Sequence, residues 1–169
     1  MLTPTWLAAE DSLSVGAVHG ELSVGPMSSQ GTLRLPIGKR SLLLLSARAA
    51  YLNLLYSKWL EVDGDEVKYD FSDYNLSYIT QLDDANVLKI EGYWGYDKMK
   101  IGQASHGLQG KLKWSNTMAA LHWYSRSKHG ENEGRKDWLM EQMVYYSRYA
   151  NRLNVNEYSF QVGIAVFHL

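Results

Sequence analysis

SLLLLSARAAYLNLLY, residues 41–56, is the most apolar stretch of the chain, and it carries Arg48 near its middle. As a helix it would offer sixteen residues, fewer than the roughly 20 that cross a bilayer. As a strand it would place Leu45 on one face and both Ser46 and Arg48 on the other, because successive side chains of a strand point to opposite faces. Leu, Ala and Arg are all good helix formers, so the neighbouring sequence must decide.

The neighbouring segments show a β pattern. In YDFSDYNLSYITQL, Leu76 and Tyr78 share one face and Asn75 lies on the other, and VLKIEGYWGYD and WSNTMAALHWYSR repeat this alternation. In YSFQVGIAVFHL, alternate residues from Tyr158 to Val166 are apolar and share a face. We predict strands at residues 13–27, 32–37, 41–56, 69–81, 86–97, 108–126, 138–150 and 157–168. The predicted fold is all-β, an antiparallel meander of about eight strands that forms a segment of a transmembrane β-barrel.

The connections between the predicted strands alternate in length. Residues 38–40 and 83–86 read as tight turns, whereas residues 58–68 and 98–107 are long and polar. Short turns at one edge and long loops at the other are typical of transmembrane β-barrels, although a soluble sandwich or barrel can have them too. Residues 127–137 are long where the alternation requires a short turn, which is either an insertion or evidence against a barrel.

The composition excludes several classes of protein. The net charge is −1, the isoelectric point is near 6.5 and no Lys/Arg-rich block occurs, so we expect no nucleic-acid partner. The absence of cysteine excludes disulfides, thiol catalysis and Cys-ligated zinc. The aromatic residues comprise 12 Tyr and 6 Trp against 3 Phe, a preference for rings with a polar tip. Such rings suit a boundary between water and lipid, or a carbohydrate-binding surface.

No constellation of residues points to catalysis. The five histidines, at positions 19, 106, 122, 129 and 168, have no metal-ligand spacing and no carboxylate cluster beside them. The acidic pairs at positions 63 and 65 and at 83 and 84 lie among turn residues, where Asp satisfies backbone donors. Neither a phosphate-binding glycine loop nor a GxSxG elbow occurs. We therefore predict that the chain is not an enzyme and holds no metal or cofactor.

Arg48 has two interpretations. It either reaches solvent along its aliphatic stem, or it lies on the lumen side of a barrel and pairs with an inward carboxylate such as Asp73 or Glu91. The sequence leaves both open. In the second case the lumen would be lined by the polar residues of the alternating strands, and the candidates for ligand contact are Arg48, Asp73, Asn75, Glu91 and Asn116.

Several motifs, taken in order, resemble the first part of the barrel in TonB-dependent outer-membrane receptors. The apolar strand with a central Arg in that family corresponds to residues 41–53, and its aromatic and Asp-containing strand corresponds to residues 71–78. The turn LDDAN, the strand ending in GYWGYD, the strand WSNTMAALHW and the sequence YSRY follow in the order found in the family. The resemblance covers roughly residues 20–160.

The resemblance implies nutrient uptake across the outer membrane of a Gram-negative bacterium, driven by TonB. Such receptors also have a signal peptide, a TonB-contacting motif and a plug domain, none of which we find in this sequence, and their barrel has about 22 strands. The resemblance therefore implies a fragment, with residues 1–12 as an N-terminal extension and residues 13–169 as a partial barrel.

The partners that the resemblance implies are outer-membrane lipid, the remaining barrel strands and the plug, with TonB reached only through the plug. The strands do not reveal which ligand is transported. The residues themselves leave a second interpretation open, a self-contained eight-stranded β-barrel, either a small outer-membrane barrel or a soluble ligand-binding protein.

Overall fold

The computed structural model describes residues 17–51, 61–62, 65–103, 108–127, 138–156 and 158–168. Within these ranges all regular structure is strand, and no helix has the length and hydropathy needed to cross a membrane. Three predicted segments lie outside the described residues: the N-terminal extension at 1–12, the start of the first strand at 13–16 and the end of the third strand at 52–56.

The strands form one antiparallel sheet. They are β1 (His19–Val24), β2 (Ser28–Ile37), β3 (Ser41–Ala50), β4 (Glu61–Val62), β5 (Asp65–Gln81), β6 (Asn86–Gln103), β7 (Leu108–Ser127), β8 (Trp138–Val155) and β9 (Tyr158–His168). Eight of them follow one another in chain order, and the two-residue β4 pairs with the start of β5. The predicted all-β meander of about eight strands is confirmed. β1 and β9 are the edges, and in the described residues the sheet is not closed.

Some predicted strand boundaries are wrong. A single strand is predicted over residues 13–27, but its described part contains β1 and a turn at residues 25–27, and β2 begins at Ser28 instead of residue 32. The Gly25 amide donates a hydrogen bond to the Ser28 carbonyl at 2.9 Å, which closes this turn. β5, β6 and β8 are longer than predicted at the ends that adjoin Asp65, Gln103 and Val155. Polar and apolar residues still alternate in these extensions, but the polar residues lie on the face that is apolar in the rest of the strand. This change in the pattern is typical of a loop, which is why the sequence predicts shorter strands.

Two tight turns lie where the strands end on one side of the sheet. We call this side the turn edge, as distinct from the edge strands β1 and β9. Gly38, between β2 and β3, has a φ of 67°, a conformation that favours glycine. Between β5 and β6, Asp83 Oδ1 accepts hydrogen bonds from the Ala85 amide at 2.8 Å and the Asn86 side-chain amide at 2.9 Å. These hydrogen bonds confirm the predicted turn role of Asp83, and they hold the pKa of its carboxyl below the usual value.

At the opposite edge, which we call the loop edge, residues 51–64 and 104–107 connect strands. The predicted alternation of lengths is irregular, because ten residues, 128–137, join β7 to β8 at the turn edge and only residues 156 and 157 join β8 to β9 at the loop edge. Asn156 has a φ of 51°. Its amide donates to the Gln109 carbonyl at 2.8 Å, and its Oδ1 accepts the Gln109 amide at 2.9 Å. These bonds tie the last turn to β7.

The cross-strand register assigns each side chain to one of two faces, because directly opposite residues of an antiparallel pair share a face. Arg48 is opposite Asp73. Asp73 is opposite Gly95, and Gly95 is opposite Asn116. We call the face that carries these residues the polar face. The other face carries Leu45 and the residues in register with it, and we call it the apolar face.

Few side chains of the described residues are buried. In the described part of the chain the buried hydrophobic side chains are Leu42, Val87, Ala120 and Tyr124, and all four lie on the polar face toward the turn edge. Large apolar side chains are exposed on both faces, among them Leu76 at 42% on the apolar face and Ile164 at 58% on the polar face. Both faces of the open sheet are therefore available for further contacts.

Candidate functional site

The five residues predicted to face a lumen all lie on the polar face. Arg48, Asp73 and Asn116 belong to one row of directly opposite residues. Asn75 lies in the next row toward the turn edge, and Glu91 lies in the row after that. The structure therefore brings together side chains from β3, β5, β6 and β7 that are distant in sequence.

In the described part of the chain Arg48 forms no ion pair with Asp73 or Glu91, the carboxylates named in one of its two interpretations. Its guanidinium carbon lies 4.5 Å from the centroid of the Phe71 ring, where a cation is attracted by the electron-rich ring face. The Asp73 carboxylate instead accepts a hydrogen bond from the Tyr93 hydroxyl at 2.9 Å. Arg48 and Asp73 are opposite in register, yet each binds a different neighbour.

Gly95 makes room for the bond between Tyr93 and Asp73. The Tyr93 side chain extends over Gly95, two residues further along the same face of β6, to reach Asp73 on β5. A Cβ on Gly95 would lie against the Tyr93 hydroxyl and 3.2 Å from Asp73 Oδ1. Beside this pair, Asp97 Oδ1 accepts a hydrogen bond from the Tyr69 hydroxyl at 2.7 Å. We call these residues, together with Arg48 and Phe71, the Arg48 cluster.

A second polar group, the His122 cluster, lies nearer the turn edge. The His122 ring nitrogens Nε2 and Nδ1 are each 3.2 Å from a carboxylate oxygen, on Glu91 and Glu141 respectively. Lys89 Nζ lies 2.8 Å from the other Glu91 oxygen. The imidazole stacks on the Tyr124 ring with centroids 5.9 Å apart, and only 13% of its side chain is exposed. Leaving the imidazole aside, the cluster holds two negative charges against one positive charge.

A cavity of about 340 Å³ lies on the polar face between the two clusters. The polar residues of its lining are His19, Thr32, Arg34, Ser46, Asn75, Ser77, Glu91 and Tyr93, and apolar side chains such as Leu44 and Met118 supply most of its surface. The cavity therefore offers hydroxyl and amide groups and charges of both signs beside a larger apolar surface. Within the described ranges, no three His, Asp or Glu side chains converge in a way that would hold a metal ion.

Sequence reasoning missed several members of these clusters, among them Tyr93 and His122. The spacing of Tyr93 and Gly95 is a usable signal, since a ring can lie over a glycine two residues away on the same face of a strand. His122 has no carboxylate next to it in sequence, because its partners come from β6 and β8. Only the register of three neighbouring strands places Glu91 and Glu141 beside it.

The opposite face carries an apolar band between two aromatic rims. The band comprises Leu33, Leu43, Leu45, Ala47, Leu76, Leu88, Ile90, Ala119, Leu121 and Val144. At its turn-edge side, Trp123 is 46% exposed and donates its indole N–H to Asn86 Oδ1 at 3.1 Å. At its loop-edge side, the Trp94 ring stacks on the rings of Tyr74 and Tyr96, with centroids 5.3 Å and 6.2 Å apart, and these three rings form the rim. An apolar band bounded by Trp and Tyr is typical of a surface that faces lipid.

Beyond the loop-edge rim the two faces exchange polarity. There the apolar face carries mostly basic residues, with Asp70 among them: Lys68, Lys98, Lys100, Lys111, Lys113 and Arg152. The polar face carries apolar residues in the same region: Val67, Met99, Ile101, Leu112 and Leu153. The strands therefore continue past the apolar band, and in this outer part of the sheet the face that carries the band is charged.

β9 departs from the pattern of the other strands. Ile164 is opposite Tyr149, and Tyr149 is opposite Asn116, so Ile164 lies on the polar face. The other alternate apolar residues share this face: Tyr158, Phe160, Val162 and Val166. Their exposed fractions, with that of Ile164, range from 48% to 73%. Ala165 and Phe167 lie on the apolar face, in line with the band.

Comparison with protein-family models gives no match for this chain. No curated protein matches it, and no solved structure matches it. Its function is therefore argued from the two faces of the sheet and from the clusters described above.

Proposed function

We propose that the chain forms part of the wall of a transmembrane β-barrel, with the apolar face toward lipid and the polar face toward a hydrated lumen. The observation that carries the proposal is the apolar band between two aromatic rims on one face of β3 and β5–β7. Leu76 and Leu121 in this band are each 42% exposed. Exposed leucines over several adjacent strands require an apolar environment, which lipid provides.

The height of the band fits a bilayer. On β6 it runs from Leu88 to the rim at Tyr96, eight residue steps that span roughly 27 Å at about 3.4 Å per residue. With the strands tilted by about 40°, this corresponds to roughly 20 Å along the membrane normal, close to the ~25 Å apolar band of transmembrane barrels.

The polar face supports the same orientation. Charged residues inside a membrane protein face a lumen or each other, because lipid does not solvate them. The Arg48 and His122 clusters place ionisable and phenolic side chains on that side, and their members interact across strands. The cavity between them would be part of the lumen wall. The proposal includes no catalytic step.

The open edges imply additional strands. An unpaired strand edge in hydrocarbon would leave backbone N–H and C=O groups without partners, which is why barrels are closed. β1 and β9 do not pair with each other in the described residues. In the proposed barrel, further strands or another chain would complete the ring.

We further propose that this barrel is that of a TonB-dependent outer-membrane transporter for a scarce nutrient. The support is the resemblance of the motifs, which lie on β3 and β5–β8 in the order found in that family. TonB would act through a plug domain. The outer membrane of a Gram-negative bacterium would be the location, and the ligand is left open.

Cysteine labelling tests the orientation, because the chain has no cysteine of its own. The variants Arg48→Cys and Leu45→Cys are placed in membranes and treated with a membrane-impermeant maleimide. We expect Arg48→Cys to react, since it faces the lumen, and Leu45→Cys to be protected by lipid. Asp84→Cys, in the exposed turn between β5 and β6, controls for reagent access.

The reverse labelling pattern, or equal reaction of the two variants, would contradict the proposed orientation. Refolding the chain alone in detergent addresses the alternative. A compact monomer with a heat-modifiable band on a gel would support a self-contained eight-stranded barrel instead, whereas we expect heterogeneous or aggregated material.

A further inference from the structure

Four lysines form a grid on the apolar face beyond its loop-edge rim. Lys98 is directly opposite Lys113, and Lys100 is directly opposite Lys111. All four are half-buried. We call them the lysine grid. Lys68, opposite Lys100, and Arg152, opposite Lys113, add two further positive charges, one to each row.

This arrangement is unfavourable unless an anion is present. Like charges that are directly opposite on neighbouring strands destabilise a sheet, because their Cβ atoms are only about 5 Å apart. Lys89, by contrast, is paired, since its Nζ lies 2.8 Å from a Glu91 carboxylate oxygen. None of the four grid lysines has a carboxylate within 4.0 Å in the described part of the chain. Asp70, opposite Lys98 in register, offsets only part of the charge of the two rows.

The position of the grid indicates which anion it meets. Lys98 follows the rim residue Tyr96 by two positions on the same face, which is about 7 Å along the strand. Tyr and Trp rims mark the level of the lipid headgroups. In the proposed orientation the grid therefore lies at the outer limit of the headgroup layer, and long lysine side chains reach charged groups at that level.

We propose that the lysine grid binds the phosphate groups of anionic lipids at the membrane surface. The proposal rests on the proposed membrane orientation of the apolar face. A phosphate placed between opposite lysines accepts hydrogen bonds from both ammonium groups and converts their mutual repulsion into attraction. The grid would hold the barrel wall to its surrounding lipids and would not contact a transported solute, because it lies on the face away from the lumen.

Vesicle partitioning tests this proposal. The full chain is diluted from urea into vesicles of phosphatidylcholine, or of phosphatidylcholine mixed with diphosphoryl lipid A, and the bound fraction is measured after flotation. We expect the partition coefficient to be higher with lipid A, by roughly fivefold for each lysine that meets a phosphate. The double variant Lys98→Gln with Lys113→Gln should lower this preference about 25-fold.

A matched control removes the same charge elsewhere. The double variant Lys39→Gln with Arg40→Gln lies in the turn between β2 and β3, at the opposite edge, and should retain the preference for lipid A. Equal partition of the unaltered chain into the two kinds of vesicle, or equal losses in both double variants, would overturn the proposal. Failure to enter phosphatidylcholine vesicles at all would instead contradict the proposed membrane orientation.

Discussion

β6 and β9 both alternate between polar and apolar residues over much of their length, yet they differ in what they place on the polar face. β6 carries Glu91 and Asp97 there and keeps Ile90 on the apolar face. β9 carries Ile164 and its apolar companions on the polar face. Alternation gives a strand one polar and one apolar face, whereas the register with its neighbour decides which of these lies on which side of the sheet.

The difference follows from how each strand is held. β6 pairs with β5 and β7 over most of its length, so its register is fixed from both sides. β9 pairs only with β8, and its register depends on the two-residue connection at Asn156. A shift by one residue would exchange every side chain of β9 between the faces. In the observed register, the apolar residues of β9 would line the lumen of the proposed barrel.

The largest expected effect tests the face assignment of the central strands. Leu45→Arg places a charge in the middle of the apolar band, and in a bilayer it should lower the free energy of unfolding by about 2 to 4 kcal/mol. Ser46→Arg places the same charge on the polar face and should cost far less. Urea titration of the membrane-inserted chain, followed by the fluorescence of its tryptophans, measures both.

These two variants differ by one position and introduce the same side chain, so each is the control for the other. Equal losses would indicate that the two faces meet the same environment. A larger loss for Ser46→Arg would invert the faces of β3 and would remove the basis of the comparison with β9.

A smaller effect is expected at Gly95, where the polar face of β6 is closely packed. Gly95→Ala adds a Cβ against the Tyr93 hydroxyl and 3.2 Å from Asp73 Oδ1, so we expect a loss of about 1 to 3 kcal/mol in the same titration. Adding Tyr93→Phe removes the nearest atom and should recover part of the loss. The β9 counterpart, Gly163→Ala, meets only the Tyr149 carbonyl at 3.8 Å and should be nearly neutral.

A loss at Gly163→Ala as large as that at Gly95→Ala would mean that β9 is packed as tightly as β6. If Tyr93→Phe does not relieve the loss at Gly95→Ala, the contact with the Tyr93 hydroxyl is not its cause. The loss would then have to come from the contact with Asp73 on β5.

The sequence predicts the strands and their faces well, because a period of two is a local property. Leu45 and Arg48 belong to opposite faces wherever the strand lies, and the same holds for Leu76 and Asp73. The turn at Asp83 is also local, since its donors are the next residues in the chain.

The clusters were not predictable in this way, because they depend on register. His122 meets Glu91 and Glu141 only because β6, β7 and β8 are aligned at one offset. The sequence left the partner of Arg48 open for a similar reason. A position opposite Asp73 does not decide whether the guanidinium binds that carboxylate or the ring of Phe71, which is a matter of side-chain packing.

The smallest expected effect addresses β9 itself. Ala165 lies on the apolar face in the same row as the rim residue Trp94, whereas Ile164 lies on the polar face. Ala165→Arg should lower the free energy of unfolding in a bilayer by up to about 1 kcal/mol, because charges cost least near the interface. Ile164→Arg should be tolerated, since its side chain would reach the hydrated lumen. If Ile164→Arg is the more damaging of the two, β9 in the membrane is shifted by one residue against β8. Its apolar residues would then face lipid like those of β6, and the contrast between the two strands would belong to the open sheet alone.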